Sequence, residues 1–217
     1  MQYKIAPSLL SADFLHLSDA VRDLNEARAD YIHYDVMDGK FVPETSFGET
    51  ILRPVKKTAD MPLDVHLMIE EPIRNVESFV RSGADIITVH VEACSDVRET
   101  LEKIRSLGVP ASISVKPKTP VESIFPYLDI GSMVLIMTVE PGYGGQSFMA
   151  DMVPKIVSLR EEITRRNLPV EIEVDGGINF ETVRIAKDAG ANIFVSGSTL
   201  FKGDLVSNTK RMREILE

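Results

Sequence analysis

An α/β fold, a single-domain (β/α)8 TIM barrel over residues 1–217, is predicted from three observations. Short β-branched runs alternate with amphipathic charged stretches along the whole chain, the pattern of βα units on a parallel sheet. Eight such runs occur, the number that closes a barrel. The length of 217 residues falls in the range of about 200 to 250 over which α/β barrels commonly run as one domain. No low-complexity or linker-like stretch interrupts the series, so no domain boundary is expected.

The predicted strands follow in order. YKIAPS (3–8) opens the series and ends in a serine. DYIHYDV (30–36) and PLDVHLM (62–68) alternate aliphatic with polar residues, so that one face of each carries imidazoles or carboxylates. DIITVHV (85–91), ASISVK (111–116) and MVLIMTV (133–139) are β-branched or apolar runs. VEIEVD (170–175) alternates again and ends in Asp175, and ANIFVSG (191–197) closes the set. Helices are expected near 16–28, 48–58, 72–82, 96–107, 120–126, 151–166, 180–188 and 203–216, with Pro, Gly or Asn in the connections. The helix at 120–126 has the weakest pattern. Three helix-to-strand joins echo one another: ARADYIHYD, SGADIITVH and AGANIFVSG each place a small residue and then Asp or Asn ahead of a strand, which suggests repeated βα units.

Composition narrows the partners. A net charge of −9 argues against nucleic acid or an anionic membrane, since both need a basic face. An anionic ligand must therefore be held by a local site against the overall field. The single cysteine, Cys94, excludes an internal disulfide, and MQYKIAPSLL lacks the basic-then-apolar pattern of a leader. No apolar stretch approaches the roughly 20 residues that span a bilayer. A cytoplasmic setting is the expectation.

Polar residues gather where barrel chemistry belongs, at the C-terminal ends of the strands. His33 and Asp35 lie two apart and project together, His66 ends the third run, and Asp175 ends the seventh. Two imidazoles and two carboxylates from separate strand ends suit one divalent cation of the zinc, iron, manganese or cobalt type. The Gly-rich segments PGYGGQ (141–146), DGG (175–177) and SGS (196–198) follow the sixth, seventh and eighth runs. There backbone N–H groups can approach an anion unobstructed, a phosphate cradle that needs no net positive charge.

These residues resemble a known family. APSLLSADF (6–14), HYDVMDGKFVP (33–43), DVHLM (64–68), MTVEPGYGGQSF (137–148), EVDGGI (173–178) and VSGS (195–198) look like the signature blocks of the ribulose-phosphate 3-epimerases, in order and over nearly the whole chain. The resemblance implies a barrel that interconverts D-ribulose 5-phosphate and D-xylulose 5-phosphate in the pentose phosphate pathway by inverting carbon 3 through an enediolate. It implies one divalent metal ion per subunit, Zn2+ or Fe2+ first and Mn2+ or Co2+ next, on His33, Asp35, His66 and Asp175. Asp35 and Asp175 become the acid/base pair. Substrate or phosphate contacts fall to Ser8, His66, Gly142, Tyr143, Gly144, Gly145, Asp175, Gly176, Gly177, Gly197 and Ser198. A small phosphorylated ketose is the partner, and a homo-oligomer is expected because such barrels often associate.

Other residues carry two readings. Met37, Met68 and Met137 near strand ends either fill core or form a soft wall around the enediolate. His90 and Glu92 share a face and suit a structural hydrogen-bonded pair or a supporting place beside the site. Cys94 reads as an ordinary small residue, with no activating partner in view. Glu173 shares parity with Asp175, and a pairing with Lys116 inside the barrel is open. Arg28 stands where the family usually has Gly, Glu44 where many members have Asn, and Lys116 where bacterial members commonly have Asn. Glu44 adds negative charge near the proposed mouth. Alternatives are a 3-epimerase of a ketohexose 6-phosphate such as D-allulose 6-phosphate, and a non-catalytic sugar-phosphate-binding barrel. A decarboxylase is disfavoured, because the Asp-x-Lys-x-x-Asp pattern is absent.

Overall fold

The computed structural model describes residues 2–217. Eight parallel strands run as β1 Lys4–Pro7, β2 Ile32–Met37, β3 Leu63–Met68, β4 Ile86–His90, β5 Ala111–Val115, β6 Met133–Met137, β7 Glu171–Asp175 and β8 Ile193–Ser196. Each pairs with the next from β2 to β8, and β8 pairs with β1. A parallel bridge between Ser8 and His33 joins β1 to β2 and closes the (β/α)8 TIM barrel. All eight predicted strands are present, with ends displaced by no more than two residues.

The helices are α1 Leu17–Glu26, α2 Glu49–Thr58, α3 Val76–Ser82, α4 Val97–Ser106, α5 Val153–Arg165, α6 Thr182–Asp188, α7 Ser198–Phe201 and α8 Leu205–Leu216. Two expectations are corrected. The helix predicted at 120–126 is a 3-10 helix, Val121–Tyr127, with Pro126 inside it. Proline has no N–H for an α-helical bond and its ring crowds the preceding turn. Before α8, the sequence pattern missed the short α7, which begins directly after the last strand. None of the helices in the described residues is long and apolar enough to cross a membrane.

Alternation along the strands divides two environments. Ile5, Tyr34, Val65, Leu67, Val89, Ile113, Ile136, Val174 and Phe194 join one apolar layer with helix residues such as Leu24, Leu52, Leu101, Ile156 and Met212. The opposite parity fills the barrel interior, with Ala6, Ile86, Met133, Ile193 and Val195 in a separate cluster. Each fully buried aliphatic side chain in the outer layer contributes about 1.5–3 kcal/mol. That layer carries the fold and leaves the interior parity of β2, β3, β4 and β7 free to hold polar groups.

The three echoing joins have one physical cause. Arg28, Gly83 and Gly190 all adopt positive φ, at 52°, 112° and 112°. The next residue donates back into the helix each time: Ala29 N to Leu24 O, Ala84 N to Phe79 O and Ala191 N to Ala186 O. These are Schellman-type helix ends, which satisfy otherwise orphaned carbonyls. The polar residue that follows then caps the start of a neighbouring strand. Asp30 accepts from Ile5 N at 2.9 Å, Asp85 from Leu63 N at 2.7 Å and Asn192 from Ile172 N at 2.8 Å. Arg213, Lys56 and Arg160 from the surrounding helices reach these same side chains. Arg28 thus performs a turn that glycine performs elsewhere, at an intrinsic cost on the order of 1–2 kcal/mol.

Candidate active site and metal centre

At the C-terminal mouth of the barrel, β2, β3 and β7 bring His33, Asp35, His66 and Asp175 together. Each offers a ligand atom within 4.8 Å of the others. His66 Nδ1 lies 3.1 Å from Asp35 Oδ1 and 3.4 Å from His33 Nε2. His33 Nε2 lies 3.3 Å from Asp35 Oδ1 and 3.9 Å from Asp175 Oδ2. Ser8 Oγ donates to Asp35 Oδ2 at 2.6 Å. Two carboxylates and two imidazole nitrogens converging on one small volume repel unless a cation or protons lie among them. Mixed nitrogen and oxygen donors of this kind fit a divalent ion of the zinc or ferrous type.

Asp64 is a residue the sequence reading missed. Fully buried on β3, it accepts from His33 Nδ1 at 2.7 Å and from Thr88 Oγ1 at 3.3 Å. The signal was present: in DVH, Asp64 stands two before His66 and shares its face. Holding the Nδ1 proton leaves His33 Nε2 free toward the cluster, the usual support for a ligating histidine. His90 on β4 approaches from the other side, with its Nε2 2.8 Å from His66 Nε2 and its Nδ1 3.3 Å from Glu92 Oε2. Glu92 also accepts from Lys116 N at 2.8 Å.

The charges sort by environment. Burial pushes the Asp35 carboxyl up, but the His33 charge, first among the opposing causes, and the close approach of the His33 and His66 ring nitrogens outweigh it and hold the group well below the usual carboxylate range. Burial, then the Asp35 charge, push Asp175 up to about 6. Burial pulls His33 down, yet the Asp35 and Asp64 charges raise it well above an ordinary histidine. Burial takes His90 down to about 4. For Glu92, burial is outweighed by bonds from His90, Thr119 and Lys116, which bring it to about 2. Burial lifts the Cys94 thiol to about 11, which makes it an inert neighbour.

Glu173 does not pair with Lys116. It is fully buried in the interior, 3.7 Å from His33 Nδ1, and burial with the Asp64 charge pushes its carboxyl well up. Lys116 turns instead to the β2–α2 loop, its Nζ 3.6 Å from the Phe41 ring centre and donating to Phe41 O at 3.3 Å.

A cavity of about 510 Å³ opens above the cluster. Ser8, Asp35, Met37, Met68, Met137, Gly142, Tyr143, Gly144, Gly145, Asp175, Gly176, Gly177, Gly197 and Ser198 all line it. His33 and His66 are fully buried behind that surface. Glu44 is exposed and outside the lining, and its carbonyl accepts from Gly39 N. The sequence also passed over Ser11, Gln146, Phe148, Asn179 and Thr199, which share the lining. Gln146 gathers its loop by donating to Glu140 O and Tyr143 O at 2.7 and 2.9 Å. Glycine is required in two places. A side chain on Gly177, at φ 65°, would run into the Phe148 backbone, and one on Gly197 would meet Ser11 Oγ. Among the described residues, the lining has no lysine or arginine.

A parallel barrel with two carboxylates and two imidazoles gathered at the C-terminal mouth beside a cavity has the layout of a barrel enzyme's active site. The particular family follows from comparison with known proteins. The sequence model of the ribulose-phosphate 3 epimerase family matches residues 4–201, and the chain belongs to that family. It is 46% identical over 201 residues to the ribulose-phosphate 3-epimerase of Bacillus subtilis, covering 91% of this chain and 92% of that one. The Synechocystis ribulose-phosphate 3-epimerase is 45% identical over 199 residues, covering 91% and 86%. Among solved structures, orotidine 5'-phosphate decarboxylase from Pyrococcus horikoshii superposes with a TM-score of 0.70 over 98% of both chains at 14% identity, a likeness of fold.

Proposed function

We propose that this isomerase interconverts D-ribulose 5-phosphate and D-xylulose 5-phosphate by removing the proton on carbon 3 and returning one to the opposite face through an enediolate. The observation that carries the reading is the meeting of Asp35 and Asp175 at one cavity from strands that β1 and β8 separate. Inversion beside a ketone needs two proton-handling groups, one for each face of a planar intermediate. The substrate agrees with the names borne by the relatives at 46% and 45% identity.

His33, Asp35, His66 and Asp175 would hold one divalent ion per subunit, zinc or ferrous iron by donor type. Bound there, such an ion would supply Lewis acidity toward the ketone oxygen and the negative charge that develops on it. Asp35, fixed by the Ser8 hydroxyl, takes or returns the proton on one face, and Asp175 does so on the other. Met37, Met68 and Met137 present polarizable sulfur and methyl groups to the cavity and keep water from the carbanionic face. Backbone N–H groups of Gly176, Gly177, Gly197 and Ser198 bind the phosphate, which suits a lining without basic side chains.

Incubating metal-replete protein with D-ribulose 5-phosphate in heavy water, followed by proton NMR, tests the proposal. The expected result is D-xylulose 5-phosphate carrying deuterium at carbon 3. Absence of both product and carbon-3 exchange would overturn it. Activity confined to a six-carbon ketose 6-phosphate would transfer the same chemistry to another substrate.

A further inference from the structure

His90 and Glu92 stand outside the four-donor cluster, yet they form a hydrogen-bonded line into it. His66 Nε2 and His90 Nε2 are 2.8 Å apart, His90 Nδ1 is 3.3 Å from Glu92 Oε2, and Glu92 Oε1 accepts from Lys116 N at 2.8 Å. Two neutral imidazoles at hydrogen-bond distance share one proton between the facing nitrogens, so one ring donates and the other accepts. A carboxylate only accepts. With Glu92 ionised, His90 Nδ1 must carry hydrogen, which leaves His90 Nε2 as a lone pair. His66 Nε2 must then be the donor, and its own lone pair falls on Nδ1.

That nitrogen is the one facing the cluster, 3.1 Å from Asp35 Oδ1 and 3.4 Å from His33 Nε2. The opposite arrangement would satisfy Asp35 with a proton on His66 Nδ1. It would also turn the His90 Nδ1 lone pair against the Glu92 carboxylate. The His90 ring has little freedom to escape, being fully buried between His66 and Phe41, at ring-centre distances of 5.0 and 4.9 Å. Lys116 covers the far face of this arrangement through Phe41.

We propose that Glu92 and His90 are positioning residues that fix the tautomer of His66, so that His66 Nδ1 presents a lone pair to a divalent ion while an anionic group three links away supplies the bias. This rests on the reading that the cluster binds such an ion. It assigns function to two residues that contact neither the cavity nor the four-donor set directly, apart from the His90–His66 bond.

The test uses histidine 15N NMR on metal-free protein together with zinc affinity by competition with a chromophoric chelator. For the wild type, His66 is expected as the Nε2–H tautomer. His90→Leu should weaken zinc binding about 10- to 100-fold, the usual effect of losing a ligand's supporting partner. His90→Gln, which retains an acceptor, should recover most of the loss. Should His90→Leu fail to fold, Glu92→Gln at the partly exposed end of the line should shift His66 toward the Nδ1–H tautomer. A wild-type His66 in the Nδ1–H form, or undiminished zinc affinity in folded His90→Leu, overturns the proposal. Zinc failing to bind wild type would instead sink the metal reading, while the tautomer spectrum still decides the relay.

Discussion

His33 Nδ1 and Asp64 Oδ2 stand 2.7 Å apart with both side chains fully buried, a charge-assisted bond that orients the other ring nitrogen toward Asp35 and Asp175. Removing the Asp64 acceptor should free the ring to rotate and strand its N–H in a dry interior. Asp64→Leu is expected to lower zinc affinity about 10- to 100-fold, and Asp64→Asn less, since it keeps an acceptor oxygen. Chelator competition measures both. Equal affinity across the series would show that Asp64 serves the barrel and not the metal centre.

Asp35→Asn and Asp175→Asn should each reduce turnover by at least about 10²- to 10⁴-fold on metal-loaded protein, the range typical of a lost general acid or base. Exchange at carbon 3 adds resolution. A variant lacking one carboxylate can still wash the proton out of the epimer whose hydrogen faces the remaining one. Near-normal epimerisation by either variant would remove that residue from the proton-transfer pair.

Metal affinity should fall with pH through the range set by Asp175, whose carboxyl is pushed up to about 6 by burial and by Asp35. Below that value a divalent ion must displace a proton from the carboxylate, which costs about tenfold in affinity per pH unit. In metal-free protein the same shift has a definite sign. A raised carboxyl pKa contributes stability that is fully present below the ordinary value of 3.8 and lost as pH rises through about 6. Asp175→Asn should therefore flatten the stability profile over that window in chelator-treated samples. An unchanged slope would assign the titration elsewhere.

Arg28, held at φ 52° where Gly83 and Gly190 serve in the equivalent joins, should be improved by glycine. Arg28→Gly is expected to stabilise the protein by up to about 1 kcal/mol, because relief of left-handed strain exceeds the added freedom of the unfolded chain. Arg213 bonds the Arg28 carbonyl at 2.8 Å, not its side chain, so that contact survives the change. Thermal unfolding of both forms checks it. A lower midpoint for the glycine variant would mean that the arginine side chain contributes more than the turn costs.

Periodicity and composition determined the barrel, because a parallel sheet covered by helices imprints its two-residue and 3.6-residue repeats directly on the chain. Parity and position at strand ends likewise marked His33, Asp35, His66 and Asp175, which the structure brings within 4.8 Å. Other features depended on three dimensions. Nothing along the chain pairs His33 with Asp64, or His66 with His90, since those contacts arise only when neighbouring strands settle into register and face inward together. The 120–126 segment looked helical by pattern, but Pro126 drew it into a 3-10 turn. The fate of Glu173 was equally hidden: its parity pointed inward, but its neighbours Asp64 and His33 belong to strands across the barrel. Sequence thus determined which residues could face the interior, and closure of the sheet decided which of them meet, at what distance and with what charge.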